Sequence, residues 1–199
     1  MLKKTILTSA IAIAVSSPAA FAEQRTAPVR DNGFSYTYGQ LAYDRWDLDD
    51  GQDIDAITGE GAFALDEHLF LRGGLNFYDG DYRYGDLDGN QIYGGLGFHT
   101  PLQRGLDLVG SADIIYDDHD FDPGGSDDEL GYELRAGVRH ATTDKLELSG
   151  GLTYQDIYDG DLGVYGQGLV KVTPVVDLGA RVIVGDDRDT FGVFGRYNF

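Results

Sequence analysis

From residue 34 to the last residue the chain alternates apolar and polar positions with a period of two. That is the period of extended backbone, whose successive side chains point to opposite faces. The alternation falls into ten runs, at 34–46, 55–65, 68–78, 90–99, 106–117, 129–140, 146–157, 162–172, 177–185 and 190–199. In the sixth, Leu130, Tyr132, Leu134, Ala136 and Val138 interleave with Gly131, Glu133, Arg135, Gly137 and Arg139. In the seventh, Leu146, Leu148, Gly150, Leu152 and Tyr154 interleave with Glu147, Ser149, Gly151, Thr153 and Gln155. An L-x-L-x-G echo at 69–73, 106–110 and 146–150 follows a short turn each time, so the repeat unit is a hairpin. No helical period occurs after residue 22. The expected fold is all-β, a single antiparallel up-and-down barrel over 34–199.

Two orientations suit such a barrel: apolar face outward in lipid, or inward as in a soluble lipocalin-like carrier. Each run has one face of apolar residues and glycine without a charge, although 25% of the chain is charged. The other face gathers Glu60, Arg72, Asp113, Glu133, Arg135, Arg139, Lys171, Arg181 and Arg196. Both signs are present, so these groups can pair inside a lumen. The glycines scattered among Leu and Val would pack a soluble core poorly. With both chain ends on the inner side, Tyr43, Phe77, Tyr116, Tyr132 and Tyr154 fall at the outer rim, and Phe63, Phe98, Tyr197 and Phe199 at the inner rim. Two aromatic girdles around an apolar belt suit a membrane, because amphipathic rings favour the headgroup level. Strands of about 10–12 residues, at ~3.3 Å per residue and tilted about 40°, span roughly 25–30 Å. The reading requires Leu134, Leu148 and Leu152 to face away from the axis, and Arg135 and Glu147 to face it.

The start of the chain adds export. Lys3 and Lys4 precede an apolar run, Thr5 to Val15, and Ala20-Phe21-Ala22 supplies a small-x-small cleavage site. Residues 1–22 read as a signal peptide, being too short in the apolar run to span as a helix. Residues 23–33 read as a flexible leader. Without residues 1–22, which carry two lysines and no acid, 13 basic residues stand against 34 acidic ones, a net charge of −21. Such a chain does not seek nucleic acid. There is no cysteine, so no disulfide framework is expected.

The outer connections are acidic and glycine-rich: 47–53, 79–89, 118–128, 159–161 and 186–189. Asp47, Asp49, Asp50, Asp118, Asp120, Asp127 and Asp128 are candidate ligands for a hard divalent cation, weighed against plain solvated loops. No EF-hand spacing occurs, and no other cofactor is implied. Of four histidines, His68, His99 and His140 fall at inner turns, and only His119, flanked by Asp118 and Asp120, lies in an outer loop. No nucleophile elbow, phosphate loop or zinc spacing is present, so no enzyme is expected. On the polar face, Glu60, Asp113 and Glu133 against Arg72, Arg135, Arg139, Arg181 and Arg196 form a candidate lumen network. Fully paired, it plugs the bore; with a file of water, it passes small ions.

The last strand, Thr190 to Phe199, ends Tyr197-x-Phe199, with glycines at 192 and 195. This resembles the assembly signal of Gram-negative outer-membrane β-barrels, although the glycine usual there is offset. In architecture the whole chain resembles the OmpA/OmpX-like small barrels, often labelled porin-family outer-membrane proteins. The resemblance implies a monomer in the outer membrane, surrounded by lipid and lipopolysaccharide and inserted by the barrel assembly machinery. It implies a role in envelope integrity or surface interaction, with a narrow channel as the alternative and a rim enzyme behind both. OmpA- and OmpX-like barrels have eight strands, so eight stands as the alternative to ten.

Overall fold

The computed structural model describes residues 32–48, 52–82, 85–122, 124–158, 160–186 and 188–199. The signal peptide, residues 23–31 of the leader, Asp49 and Asp50 lie outside the described residues. Ten strands follow one another: β1 (Tyr38–Leu48), β2 (Gln52–Ala64), β3 (Leu69–Tyr82), β4 (Gly85–Gln103), β5 (Leu106–Asp122), β6 (Gly125–Ala141), β7 (Leu146–Asp156), β8 (Gly160–Lys171), β9 (Val176–Val184) and β10 (Arg188–Asn198). Each pairs antiparallel with its sequence neighbours, and β1 pairs with β10 from Tyr38↔Asn198 to Leu48↔Arg188. The sheet is therefore a closed up-and-down barrel of ten strands, not eight, with no free lateral edge along that seam.

Side-chain orientation follows the alternation. Leu134, Leu148 and Leu152 are 47%, 45% and 55% exposed, while Glu147 is 3% exposed and faces inward. Gln40, Asp44, Asp113, Glu133 and Arg196 are likewise buried within a barrel whose outer surface is leucine, valine, isoleucine and aromatic rings. Such an inverted arrangement is stable only where the outside is hydrocarbon. Tyr43, Phe77, Tyr116 and Tyr132 are exposed at one rim, and Phe63, Phe98, Tyr197 and Phe199 toward the other. The outer tyrosines reach acids just above them: Tyr43 donates to Asp55 (2.7 Å) and Tyr116 to Asp128 (3.2 Å).

Three inner turns share one device. Asp66 Oδ1 accepts the backbone N–H groups of His68 and Leu69, at 2.7 and 2.8 Å. Thr143 Oγ1 accepts those of Lys145 and Leu146, and Thr173 Oγ1 those of Val175 and Val176. A short polar side chain thus replaces the missing strand partner, as Asx and ST turns do. The two hydrogen bonds hold the exposed Asp66 carboxyl below its ordinary pKa. The β4–β5 turn instead places Gly105 at φ 72°, a left-handed conformation that favours glycine.

Several strand ends differ from the sequence expectation. Residues 79–82, 85–89, 118–122 and 125–128 are strand rather than loop, because β3–β6 continue their pairing past the membrane belt. Aspartate and glycine are poor strand formers, but cross-strand hydrogen bonding overrides that weak preference. β4 also runs on through Pro101 to Gln103, with a register shift where the proline removes a donor. In the other direction, residues 34–37 are not strand. They leave β1 and turn into the barrel, where Phe34 and Tyr36 are buried.

Candidate functional site: the lumen and its outer vestibule

The inward side chains form three successive groups along the bore. In the middle, Arg72 lies between Glu60 (3.6 Å) and Asp113 (3.5 Å). Tyr38 and Tyr93 donate their hydroxyls to the two Glu60 oxygens at 2.9 and 2.8 Å. Arg135 donates to Glu133 at 3.0 Å, on the strand next to Asp113. Beside them Arg181 grips Asp44 with two nitrogens, Nε at 2.8 Å and Nη2 at 2.5 Å, and Thr58 donates to the same carboxylate. Asp44 is 1% exposed, and its room is made by Gly192, where any β-carbon would collide with the carboxylate. Buried charges survive only when compensated in this way.

Seven of the eight charges expected in the lumen, Glu60, Arg72, Asp113, Glu133, Arg135, Arg139 and Arg181, form ion pairs there. Arg196 is buried with them but makes no ion pair among the described residues. It donates twice to Gln40 Oε1 (3.0 and 2.9 Å) and lies 4.0 Å over the Tyr38 ring. The partners Asp44 and Glu147 were missing from that sequence set. Their signal was position: Glu147 had the inward parity of its strand, and Asp44 the parity opposite to the outward Tyr43.

At the inner end the segment 32–37 crosses from β1 to the opposite wall. Asn32 donates to Asp107 (2.6 Å), Tyr36 to the other oxygen of Asp107 (2.9 Å), and Arg139 to the Ser35 carbonyl (3.2 Å). The Tyr36 ring stacks on His99 at 3.7 Å between centroids and leans on Phe70 at 5.1 Å. Arg139 sits 4.9 Å over Phe34 and 4.7 Å over Tyr36, and its charge is met by Glu147 at 2.6–2.7 Å. His99, expected at an inner turn, is 6% exposed, because its side chain faces the bore beneath the Tyr36 ring and β4 runs on past it.

At the outer end the bore widens into a cavity of about 440 Å³. Trp46, Ile54 and Tyr78 form one cluster of its lining, with Trp46 and Tyr78 ring centroids 5.1 Å apart and Leu87 packed against them, and Phe121 and Ile157 add further apolar surface. Asp117, 3% exposed, accepts from Tyr78 (2.7 Å), Tyr158 (2.9 Å) and Gln91 (3.1 Å). His119 Nδ1 stands 3.4 Å from Asp117 and 3.0 Å from the Tyr158 hydroxyl. Its carboxylate neighbour is thus Asp117, two residues away and on the same face, and neither of the flanking Asp118 and Asp120. Burial, then the Asp117 charge, push the Tyr158 phenol well above its ordinary pKa. Arg188 lies 4.6 Å over the Trp46 ring and donates to Gln155 (3.0 Å). The described lining carries no Ser, Thr, Cys or Lys beside the His119–Asp117 pair.

Residues 6–174 match the family model described as "Outer membrane protein beta-barrel domain". The chain belongs to this family. No curated protein matches it. Among solved structures, the barrel is similar to the N-terminal β-barrel domain of Pseudomonas aeruginosa OprF: 12% identity, 83% of this chain, 100% of that one and a TM-score of 0.47. It is also similar to the KdgM porin in complex with disordered oligogalacturonate (10% identity, 81% and 99% covered, TM-score 0.45). A third is Neisserial surface protein A, with 14% identity, 82% and 96% covered and a TM-score of 0.42.

Within this outer-membrane barrel, Tyr197 pairs opposite Gly39 at the β10–β1 seam with its side chain outward, and Phe199 is exposed one step beyond. Of the candidate metal ligands, Asp118, Asp120 and Asp128 lie on the extended β5–β6 hairpin and Asp47 on β1. Asp127 opposes His119 across that hairpin. Among the described residues no three acids or histidines converge on a point that could hold a metal ion.

Proposed function

We propose that this protein is a closed surface barrel of the Gram-negative outer membrane, acting in envelope integrity or surface interaction rather than catalysis. In this reading residues 1–22 direct export, the barrel assembly machinery inserts the chain, and a monomer stands in lipid and lipopolysaccharide. The observation that carries it is the segment 32–37. Phe34 and Tyr36 occupy the inner mouth beneath the paired charges of the middle, so the bore is obstructed at two levels. Long Arg and Tyr side chains suffice to fill an interior of this width. The acidic outer ends of β3–β6 then form the surface offered to partners. Planar-bilayer recording on refolded protein tests the reading: the wild type is expected to be silent, and sustained unitary steps would overturn it.

One observation favours a narrow channel as the second reading. Arg72 Nε, Asp113 Oδ1 and Thr153 Oγ1 are buried atoms without a protein partner, and such atoms usually bond to water. A file of water along them would pass small ions. Steps in the wild type that disappear in an Arg72→Met variant would establish this reading in place of the first.

A further inference from the structure

The outer vestibule has a cation without an ion-pair partner among the described residues, beside an unfilled apolar space. Elsewhere in the lumen, arginines expected to pair meet a carboxylate, or in the case of Arg196 two bonds to one amide and a tyrosine face. Arg188 has a ring beneath it and a single bond to Gln155, with no carboxylate within ion-pair distance among the described residues. The cavity's one acid, Asp117, is already engaged by three donors. The remaining walls are the apolar faces of Trp46, Ile54, Leu87, Phe121 and Ile157. Its size falls within the range of about 300–1,000 Å³ usual for small-molecule sites, and a few polar groups among apolar walls is their usual make-up.

The geometry points to a binding site for a small amphipathic monoanion, a carboxylic acid with an aromatic or medium-chain body. Its carboxylate takes the open donors of Arg188 in the planar, two-point manner guanidinium favours. Its body covers the apolar walls next to Trp46. The acids of β1, β5 and β6 near the rim make entry costlier for each added negative charge, which restricts the class to single anions. The site does not depend on the closed-barrel reading, because a conducting bore would leave the vestibule intact.

Trp46 is the chain's one tryptophan, so its emission reports this cavity without background from the lipid-facing belt. The test is a titration of the refolded full barrel in lipid nanodiscs with 4-phenylbutyrate, and in parallel with uncharged 4-phenylbutanol. Wild type is expected to give a saturable change in Trp46 emission with the acid, at least tenfold tighter than with the alcohol. Arg188→Gln should lose at least tenfold for the acid and little for the alcohol. Gln155→Glu, which gives Arg188 a carboxylate of its own, should have the same effect while keeping the cation in place. If Arg188→Gln fails to fold, judged by heat-modifiable migration in gels, Gln155→Glu carries the test. No saturable response to the acid, equal binding of acid and alcohol, or wild-type acid binding in the folded variants would each overturn the proposal.

Discussion

The two ends of the bore are built from the same parts and finished differently. At the inner end Asp107, His99, Tyr36 and Arg139 stand beside Phe34 and Phe70. At the outer end Asp117, His119, Tyr158 and Arg188 stand beside Trp46 and Tyr78. In each an aspartate accepts from tyrosine, Tyr36 at the inner end and Tyr78 and Tyr158 at the outer, a histidine stands by, and an arginine lies over a ring. At the inner end, however, the chain supplies what completes the arrangement: two rings from residues 32–37, and Glu147 for the arginine. At the outer end neither is supplied, and a cavity remains. The comparison teaches that a buried arginine's partner decides whether the place around it is structural or receptive.

The largest expected effect separates the two arginines. Arg139→Ala leaves Glu147 buried and unpaired, which should cost about 3–5 kcal/mol in denaturant unfolding of the refolded barrel. Arg188→Gln, which strands no carboxylate, should cost no more than about 1 kcal/mol in the same measurement. Equal costs would erase the distinction drawn between the ends. A smaller effect sharpens the outer arrangement. Tyr158→Phe removes its hydrogen bond to Asp117, which keeps those from Tyr78 and Gln91. It should therefore destabilise by only about 1 kcal/mol. A much larger loss would mean that Tyr158 closes the vestibule instead of lining it.

The smallest effect is a pH signature at the inner turns. Asp66 has a folded pKa held below its ordinary value by the His68 and Leu69 N–H groups. Its contribution is therefore fully present above the unfolded aspartate value of about 4 and is lost as pH falls through the lower folded value. Stability of Asp66→Asn measured against pH should lack that acid-side decline relative to wild type. An unchanged slope would show that the turn bonds do not stabilise the carboxylate.

Much of this fold was legible because a two-residue period is a local property. The alternation separated Leu134, Leu148 and Leu152 from Arg135 and Glu147, the mixed-sign charges and the aromatic girdles turned the first group outward, and strand number followed from the turns. Strand ends were less legible. Asp79–Gly89 and Asp118–Asp128 read as loops on composition, yet most of both stretches is paired backbone. His99 read as a turn residue because Thr100 and Pro101 suggested an end that β4 does not respect. Phe34 and Tyr36 alternate as a strand would, so nothing local revealed that they leave β1. Trp46 shares the inward parity of Asp44, two residues before it, but parity alone does not mark it as a cavity wall.

By itself the sequence determined that this protein would be strands, which face of each meets lipid, and that charge would be carried inside. Those are consequences of pleat geometry and of the cost of charge in hydrocarbon, and both act residue by residue. Arg135 and Glu133 share a strand and Arg139 and Glu147 a hairpin, but which charges meet across the bore was decided only when the barrel closed. Ring closure with its particular register brings Arg181 of β9 to Asp44 of β1, 137 residues apart. It leaves Arg188 of β10 with the amide of Gln155 on β7. Distance across a bore depends on how all ten strands are staggered, and no stretch of one strand contains that information.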